Sequence, residues 1–296
     1  MKLVLTLIAA PNSNALTDAV INQASIALTG AGALVGEVVW LADGEACDLV
    51  FDGITLDVAD TTLAEAELSV DAVTQKIATR RKKLLIADMD STMVTGETLD
   101  ELAEFAGVKD RVAAITARAM NGELDFEEAL DERVSLLEGM STEMLKEAWK
   151  TVEYTGGAKT LVATMKANGA FAALVSGGFD FFTGAVRAEL GFDYDQANVL
   201  IEEGGKLTGK VKKPVLDRQA KVDALENLSA QQGITVDDAI AVGDGANDLQ
   251  MISLAGAGVA FHAKPSVQEQ ARICINHGDL TALLYMQGYA KSDFVS

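Results

Sequence analysis

Four short runs of apolar residues, at 84–87, 171–175, 239–242 and 258–261, constrain the fold more than any other feature of this chain. None of them alternates with polar residues, so each has the pattern of a strand buried on both faces, as in a parallel sheet covered by helices. Long stretches of helical patterning separate them, and parallel neighbours need such crossovers. The expected core is therefore α/β, a doubly wound and mostly parallel sheet. Between the first two runs, residues 97–155 carry helical patterning and no strand-like run, which predicts an inserted helical cap. Gly204-Gly205, between strand-like residues 197–201 and 206–211, predicts a hairpin turn.

The first eighty residues follow a different pattern. Strands are expected at 2–9, 36–41 and 47–51 and helices at 15–28 and 70–80, the order of a small ferredoxin-like α+β unit. Arg80-Arg81-Lys82-Lys83 reads as a linker or as a solvated helix end, and divides the chain into 1–80 and 81–296. A length of 296 residues accommodates two such units. The apolar N-terminal run is short and gives way to Asn12-Ser13-Asn14, so it reads as a first strand rather than a signal peptide. No apolar run approaches the roughly 20 residues that span a bilayer. A formal net charge of −20 argues against nucleic acid or an anionic membrane as partner, because long-range repulsion opposes their approach. Cys47 and Cys274 lack histidines at ligand spacing, suggest neither a disulfide framework nor zinc, and fit a reducing cytoplasm.

In open α/β sheets, ligands bind beyond the carboxyl ends of the strands. The run at 84 ends in Asp88-Met89-Asp90-Ser91-Thr92 and the run at 171 in Ser176-Gly177-Gly178. The run at 239 ends in Gly243-Asp244-Gly245-Ala246-Asn247-Asp248, with Lys221 on a helical stretch before it. Asp88, Asp90, Asp244 and Asp248 gathered at one point call for a cation, and ligation by oxygen alone favours Mg²⁺. The Ser176 hydroxyl, the Gly177 N–H and the Lys221 ammonium suit phosphate oxygens. The combination reads as a site for phosphate and Mg²⁺ in which Asp88 attacks phosphorus while Asp90 serves as acid and then base. Each fragment alone has a plain reading as helix cap, turn or loop; their order at three successive strand ends argues for chemistry. His262 and His277 read as ordinary residues, and Lys212-Lys213-Pro214 equally as a source of positive potential or a solvated turn.

These motifs, in order from Asp88 to Asp248, resemble those of the haloacid dehalogenase (HAD) superfamily. The resemblance is closer to its phosphoserine phosphatase family, through Gly96-Glu97-Thr98, residues 126–137, Val175-Ser176-Gly177-Gly178-Phe179-Asp180 and residues 204–209. It covers nearly the whole chain from Leu84 onward. Coverage of the first eighty residues is poor, although bacterial relatives often carry ACT-like, amino-acid-binding modules there. The resemblance implies hydrolysis of O-phospho-L-serine to L-serine and phosphate through an aspartyl-phosphate, the last step of serine biosynthesis. It implies Asp88, Asp244 and the backbone carbonyl of Asp90 as metal ligands. It also places Asn247 and Asp248 near metal and phosphate, Asp248 behind the ligands, and Thr92 as a support of its loop. Glu97 and Arg133 occupy positions that bind the substrate ammonium and carboxylate, with Met120 and Phe126 as an apolar lid. Alternatives are another small amine or amino-acid phosphate, dehalogenation, or a non-catalytic amino-acid sensor. Asp90 and Asp244 argue against dehalogenation; the intact set of acids, Ser176 and Lys221 argues against the sensor. The expected partner is a small-molecule substrate, with a homodimer allowed.

Overall fold

The structure, a computed structural model, describes residues 2–120 and 123–295. The chain begins with β1 (Leu3–Ile8), α1 (Asp18–Gly30), β2 (Leu34–Ala42), β3 (Ala46–Asp52), α2 (Leu56–Glu65) and β4 (Asp71–Lys76). The four strands form an antiparallel sheet in the order β2-β3-β1-β4. Alternation along β1 gives the sheet its two faces. Leu3, Leu5 and Leu7 pack with Leu49 and Phe51 beside Ile21, Leu28 and Leu63 of the helices, whereas Ile8, Ala46 and Val73 join the larger core of the molecule.

Residues 70–80, expected as a helix, are instead β4 followed by a short 3₁₀ turn. Pairing with β1 along its full length fixes this segment as a strand, so tertiary pairing overrides the local pattern. The second helix lies earlier, at Leu56–Glu65, where Thr55 caps it by accepting from the Val58 N–H at 3.4 Å. Its Asp and Thr residues are weak helix formers, which hid it in the sequence.

The remaining strands are β5 (Leu84–Ala87), β6 (Phe171–Phe179), β7 (Tyr194–Asn198), β8 (Leu200–Glu203), β9 (Lys206–Val211), β10 (Ala239–Gly243), β11 (Ala257–Phe261) and β12 (Ile273–Ile275). Six of them form a parallel sheet in the order β12-β11-β10-β5-β6-β7. Leu84, Leu85 and Ile86 of the central β5 are wholly buried, each contributing about 1.5–3 kcal/mol of apolar burial. Ala197 and Asn198, expected in the hairpin, belong to the sheet edge at β7; the hairpin is β8 with β9, turning at Gly204-Gly205.

Helices α3 (Thr98–Phe105), α4 (Lys109–Met120), α5 (Phe126–Ser135) and α6 (Glu143–Trp149) form the insertion after β5. Its two connections run side by side: Val94 bridges Tyr154, the Thr95 N–H donates to Glu153 O at 2.9 Å, and the Thr155 N–H donates to Met93 O at 3.1 Å. Around the sheet lie α7 (Ala158–Ala167), α8 (Asp180–Leu190), α9 (Arg218–Gln231), α10 (Leu249–Leu254), α11 (Pro265–Gln268) and α12 (Ala282–Tyr285).

Polar contacts tie the antiparallel sheet to this core. The Asp71 carboxylate on β4 accepts the consecutive backbone N–H groups of Asn276 at 2.7 Å, His277 at 3.1 Å and Gly278 at 2.7 Å. Tyr285 of α12, buried at its ring, donates its hydroxyl to Glu45 at 2.9 Å.

Candidate active site

Strand order explains why distant motifs meet. β5 lies between β10 and β6, so the loop after β5 is flanked by the loops after both neighbours. The Asp88 N–H donates to Val242 O at 3.0 Å, continuing the sheet one residue past β5 and setting Asp88 beside Gly243-Asp244. A cavity of about 180 Å³ opens there, lined by Asp88, Asp90, Glu97, Phe126, Arg133, Ser176, Gly177, Asp244 and Asn247 among others. Nine of the residues singled out in the sequence thus share one cavity.

Lys221 and Asp248 lie behind that surface. Asp217 caps α9 by accepting from the Gln219 N–H at 2.9 Å, and Lys221 projects from the first turn of this helix. Its ammonium, 2% exposed, sits 2.7 Å from Asp88 Oδ1 and 2.6 Å from Asp248 Oδ1. Burial disfavours the charged lysine, but the two carboxylates outweigh it and raise its pKa, so the ammonium persists. One ammonium between two buried carboxylates leaves negative charge in excess. Asp248 responds with a raised pKa, from burial and the charge of Asp88. Asp248 also accepts the Gly245 N–H at 3.0 Å, and Gly243 leaves its side chain the space that a Cβ would fill.

Asp88 Oδ1 accepts the Met89 N–H at 2.7 Å in addition to Lys221. Oδ2 is the freer oxygen, with the Asn247 amide 3.5 Å away. Asp90 accepts the Thr98 N–H at 2.9 Å. Burial, then the charge of Glu97, push its pKa up to about 7 against that hydrogen bond, with Asp88 adding to the rise. Asp244 is pushed up to about 6 by burial and by the charges of Asp88 and Glu97. Oxygens of Asp88, Asp244 and Asp248 lie within 4.8 Å of one another. Carboxylates this close, resisting ionisation and offering oxygen alone, fit a hard divalent cation.

Across the cavity, the cap supplies Phe126 and Arg133 from α5. A reciprocal cap starts this helix: Asp125 accepts the Glu128 N–H at 2.8 Å while Glu128 accepts the Asp125 N–H at 3.1 Å. Arg133 donates Nε–H to Ala129 O at 3.1 Å, and no carboxylate lies within ion-pair distance of its terminal nitrogens among the described residues. Burial lowers its pKa while the charges of Asp100 and Glu97 oppose the fall. Glu97 is held by the Ser91 hydroxyl at 2.9 Å, with Ser91 in the left-handed region at φ +54°. Ser176, 2% exposed, has its Oγ 2.9 Å from the Gly178 N–H that donates to it. Thr92 is buried beneath the loop, away from the cavity lining. The Met120 side chain lies outside the described residues.

Lys264 was not named among the motifs, and Gly178, named there within Ser176-Gly177-Gly178, carried no role of its own. A Cβ on Gly178 would stand 2.9 Å from Asp90 Oδ2 and 3.1 Å from Ser176 Oγ, so this glycine is what lets the two loops close on each other. Lys264 lines the same cavity, and its N–H donates to Asp244 O at 3.3 Å. Inspection beyond the run at 258–261, as for the other three, would have reached it. His262 is turned away, its Nε2 2.8 Å from Gly278 O.

Fold and site together define a hydrolase of the α/β class with a carboxylate at its centre. Residues 85–253 match the haloacid dehalogenase-like hydrolase family, and the chain belongs to it. A phosphoserine phosphatase of Archaeoglobus fulgidus is 45% identical over 222 residues, which are 74% of this chain and 64% of that protein. The chain thus spans less than two thirds of that relative's length. A crystal structure of a probable phosphoserine phosphatase from Vibrio cholerae superimposes with a TM-score of 0.78 at 33% identity, covering 99% of this chain and 88% of that one. A phospho-aspartyl intermediate analogue of a phosphoserine phosphatase is similar at 45% identity and a TM-score of 0.64, over 69% of this chain and 98% of that one. Among the described residues no helix is long and apolar enough to cross a membrane.

Proposed function

We propose that the chain is a phosphomonoesterase that hydrolyses O-phospho-L-serine to L-serine and phosphate, closing serine biosynthesis. The observation that carries this reading is the single cavity in which Asp88, Asp90 and Ser176 face Glu97 and Arg133. Phosphate chemistry belongs to the first three, and a zwitterionic amino acid fits the acid and base of the last two. The relatives named phosphoserine phosphatase support the same choice.

Asp88 attacks phosphorus through Oδ2, the oxygen that Lys221 and Met89 leave free. An aspartyl-phosphate forms as the bond from phosphorus to the seryl oxygen breaks, and Asp90 delivers its proton to that oxygen. A pKa near 7 lets Asp90 hold a proton at neutral pH and, once ionised, take one from the water that cleaves the acyl-phosphate bond. That water oxygen joins phosphorus, and Asp88 leaves as carboxylate. Lys221, the Ser176 hydroxyl and the Gly177 N–H stabilise the charge on the transferring group. Asn247 steadies Asp88. Asp88, Asp244 and the Asp90 carbonyl would hold a divalent cation, Mg²⁺ by the all-oxygen donor set, with Asp248 bracing Lys221 behind them. When bound, the cation neutralises charge on the phosphate and the surrounding acids. Arg133 offers its terminal nitrogens to the substrate carboxylate, Glu97 takes the ammonium, and Phe126 packs against Gly177 to exclude water.

We assign the first eighty residues to a separate small unit with an ACT-like role, and place the protein in the cytoplasm, consistent with free Cys47 and Cys274. The test of the main reading is phosphate release from a panel of phosphoserine, phosphothreonine, phosphoethanolamine and glycerol phosphate, with Mg²⁺ and with EDTA. Phosphoserine should be preferred and EDTA should abolish turnover. Equal rates across the panel would remove the amino-acid assignment.

A further inference from the structure

The run Arg80-Arg81-Lys82-Lys83 takes no part in the site above. It lies at the other edge of the large sheet: the Lys83 N–H donates to Asp238 O at 2.8 Å, just before β10, and the Phe171 N–H donates to Lys83 O at 2.9 Å, at the start of β6. A crevice of about 740 Å³ opens there between the antiparallel sheet and the core, and Lys76 and Arg272 join the run on its walls. Six of the chain's 24 cationic side chains therefore face one crevice in a protein of net charge −20. Asp237 and Asp238 line it too, and Asp48 and Asp60 stand behind Arg80 and Arg272 as ion-pair partners, so cations remain in excess.

Two buried side chains on this lining have unused hydrogen-bonding capacity. Lys82 is 7% exposed, yet its ammonium donates to one group, Asp237 O at 2.6 Å, with no carboxylate at ion-pair distance among the described residues. Burial lowers its pKa, the expected response of an ammonium short of partners. Gln75 is 6% exposed and its Oε1 has no partner among the described residues. An orphaned buried acceptor is costly and calls for a donor.

We propose that this crevice is a binding site for inorganic phosphate, separate from the catalytic cavity. Hydrogen phosphate combines anionic oxygens, for Lys82 and Lys76, with a P–OH that can donate to Gln75 Oε1, while the arginines, held by Asp48, Asp60 and the carbonyls of Gln287 and Gly288, add positive potential. Sulfate matches its shape and charge but carries no proton at neutral pH, and the methyl phosphate dianion likewise lacks the P–OH. The proposal is independent of the substrate assigned to the acidic site.

Calorimetric titration of the whole chain in EDTA tests it, since uncompensated Asp88, Asp244 and Asp248 then disfavour anions in the catalytic cavity. Potassium phosphate should bind, with sulfate and methyl phosphate weaker at matched ionic strength. Lys82→Met should weaken phosphate binding about tenfold or more, the loss of one charge-assisted hydrogen bond. Gln75→Leu removes an acceptor that has no partner, so it should fold and should bring phosphate and sulfate to equal affinity. Equal binding of the three anions to the unaltered chain would overturn the proposal, as would phosphate binding that Lys82→Met and Gln75→Leu both leave unchanged.

Discussion

Asp71→Ala should destabilise the protein by about 3 kcal/mol or more, although the residue lies outside the catalytic cavity. Its carboxylate is 5% exposed and makes contacts of 2.7–3.1 Å to three successive backbone N–H groups. Hydrogen bonds to a charged group are worth roughly 1.5–3 kcal/mol each, and an orphaned buried donor costs roughly 1–3 kcal/mol. Water entering the vacated space offsets part of this, so about 1 kcal/mol for each of the three donors is a conservative sum. A total stability of about 5–15 kcal/mol makes that a large fraction. Asp71→Asn keeps one acceptor oxygen but points an NH₂ at the remaining donors, and should recover part of the loss. Urea unfolding followed by circular dichroism reads the shift in midpoint, and amide hydrogen exchange at 276–278 should quicken in parallel. A loss below about 1 kcal/mol, with exchange unchanged, would refute the claim that this carboxylate holds the segment.

Other consequences concern the site itself. Gly178→Ala should fold but lose up to about a hundredfold in kcat, because its Cβ displaces Asp90 and Ser176; steady-state kinetics with a thermal melt check both halves. Arg133→Ala should raise KM for phosphoserine about tenfold or more while sparing phosphoethanolamine, which has no carboxylate, and loss on both substrates would contradict the assignment. The acids near the cavity titrate with raised folded-state pKa values, about 7 for Asp90 and about 6 for Asp244. Their contribution to stability is present below the unfolded pKa of roughly 4 and is lost as pH rises through 6–7. A divalent cation competes with those protons, so MgCl₂ should raise Tm more at pH 8 than at pH 5.5; equal gains would contradict a carboxylate site.

Much of the core was legible because burial on both faces leaves an unbroken apolar run. Leu84, Phe171, Ala239 and Gly258 each begin or enter such a run, and the ends of the first three pointed at the acids and at Ser176. The strands that escaped are short or polar. Tyr194-Asp195-Gln196-Ala197-Asn198 forms the sheet edge at β7, where one side is unpaired and polar residues are tolerated. Asp71 illustrates a different barrier. Its partners lie more than 200 residues away, so an acid within the helix expected at 70–80 shows no role until the fold brings residues 276–278 to it. Gly178 was read as part of the Ser176-Gly177-Gly178 strand end, and Lys264 was within reach of the same rule. The need for a glycine at 178, however, depends on the approach of Asp90 across two loops, which no local pattern encodes.

The central claim is that Asp88 is the nucleophile, and chemical trapping of the intermediate tests it most directly. Acid quenching during turnover of phosphoserine, followed by borohydride reduction and peptide mass spectrometry, should find Asp88 converted to homoserine, with no such product in Asp88→Asn. Turnover retained by Asp88→Asn, or trapping at another carboxylate such as Asp90 or Asp244, would contradict the account.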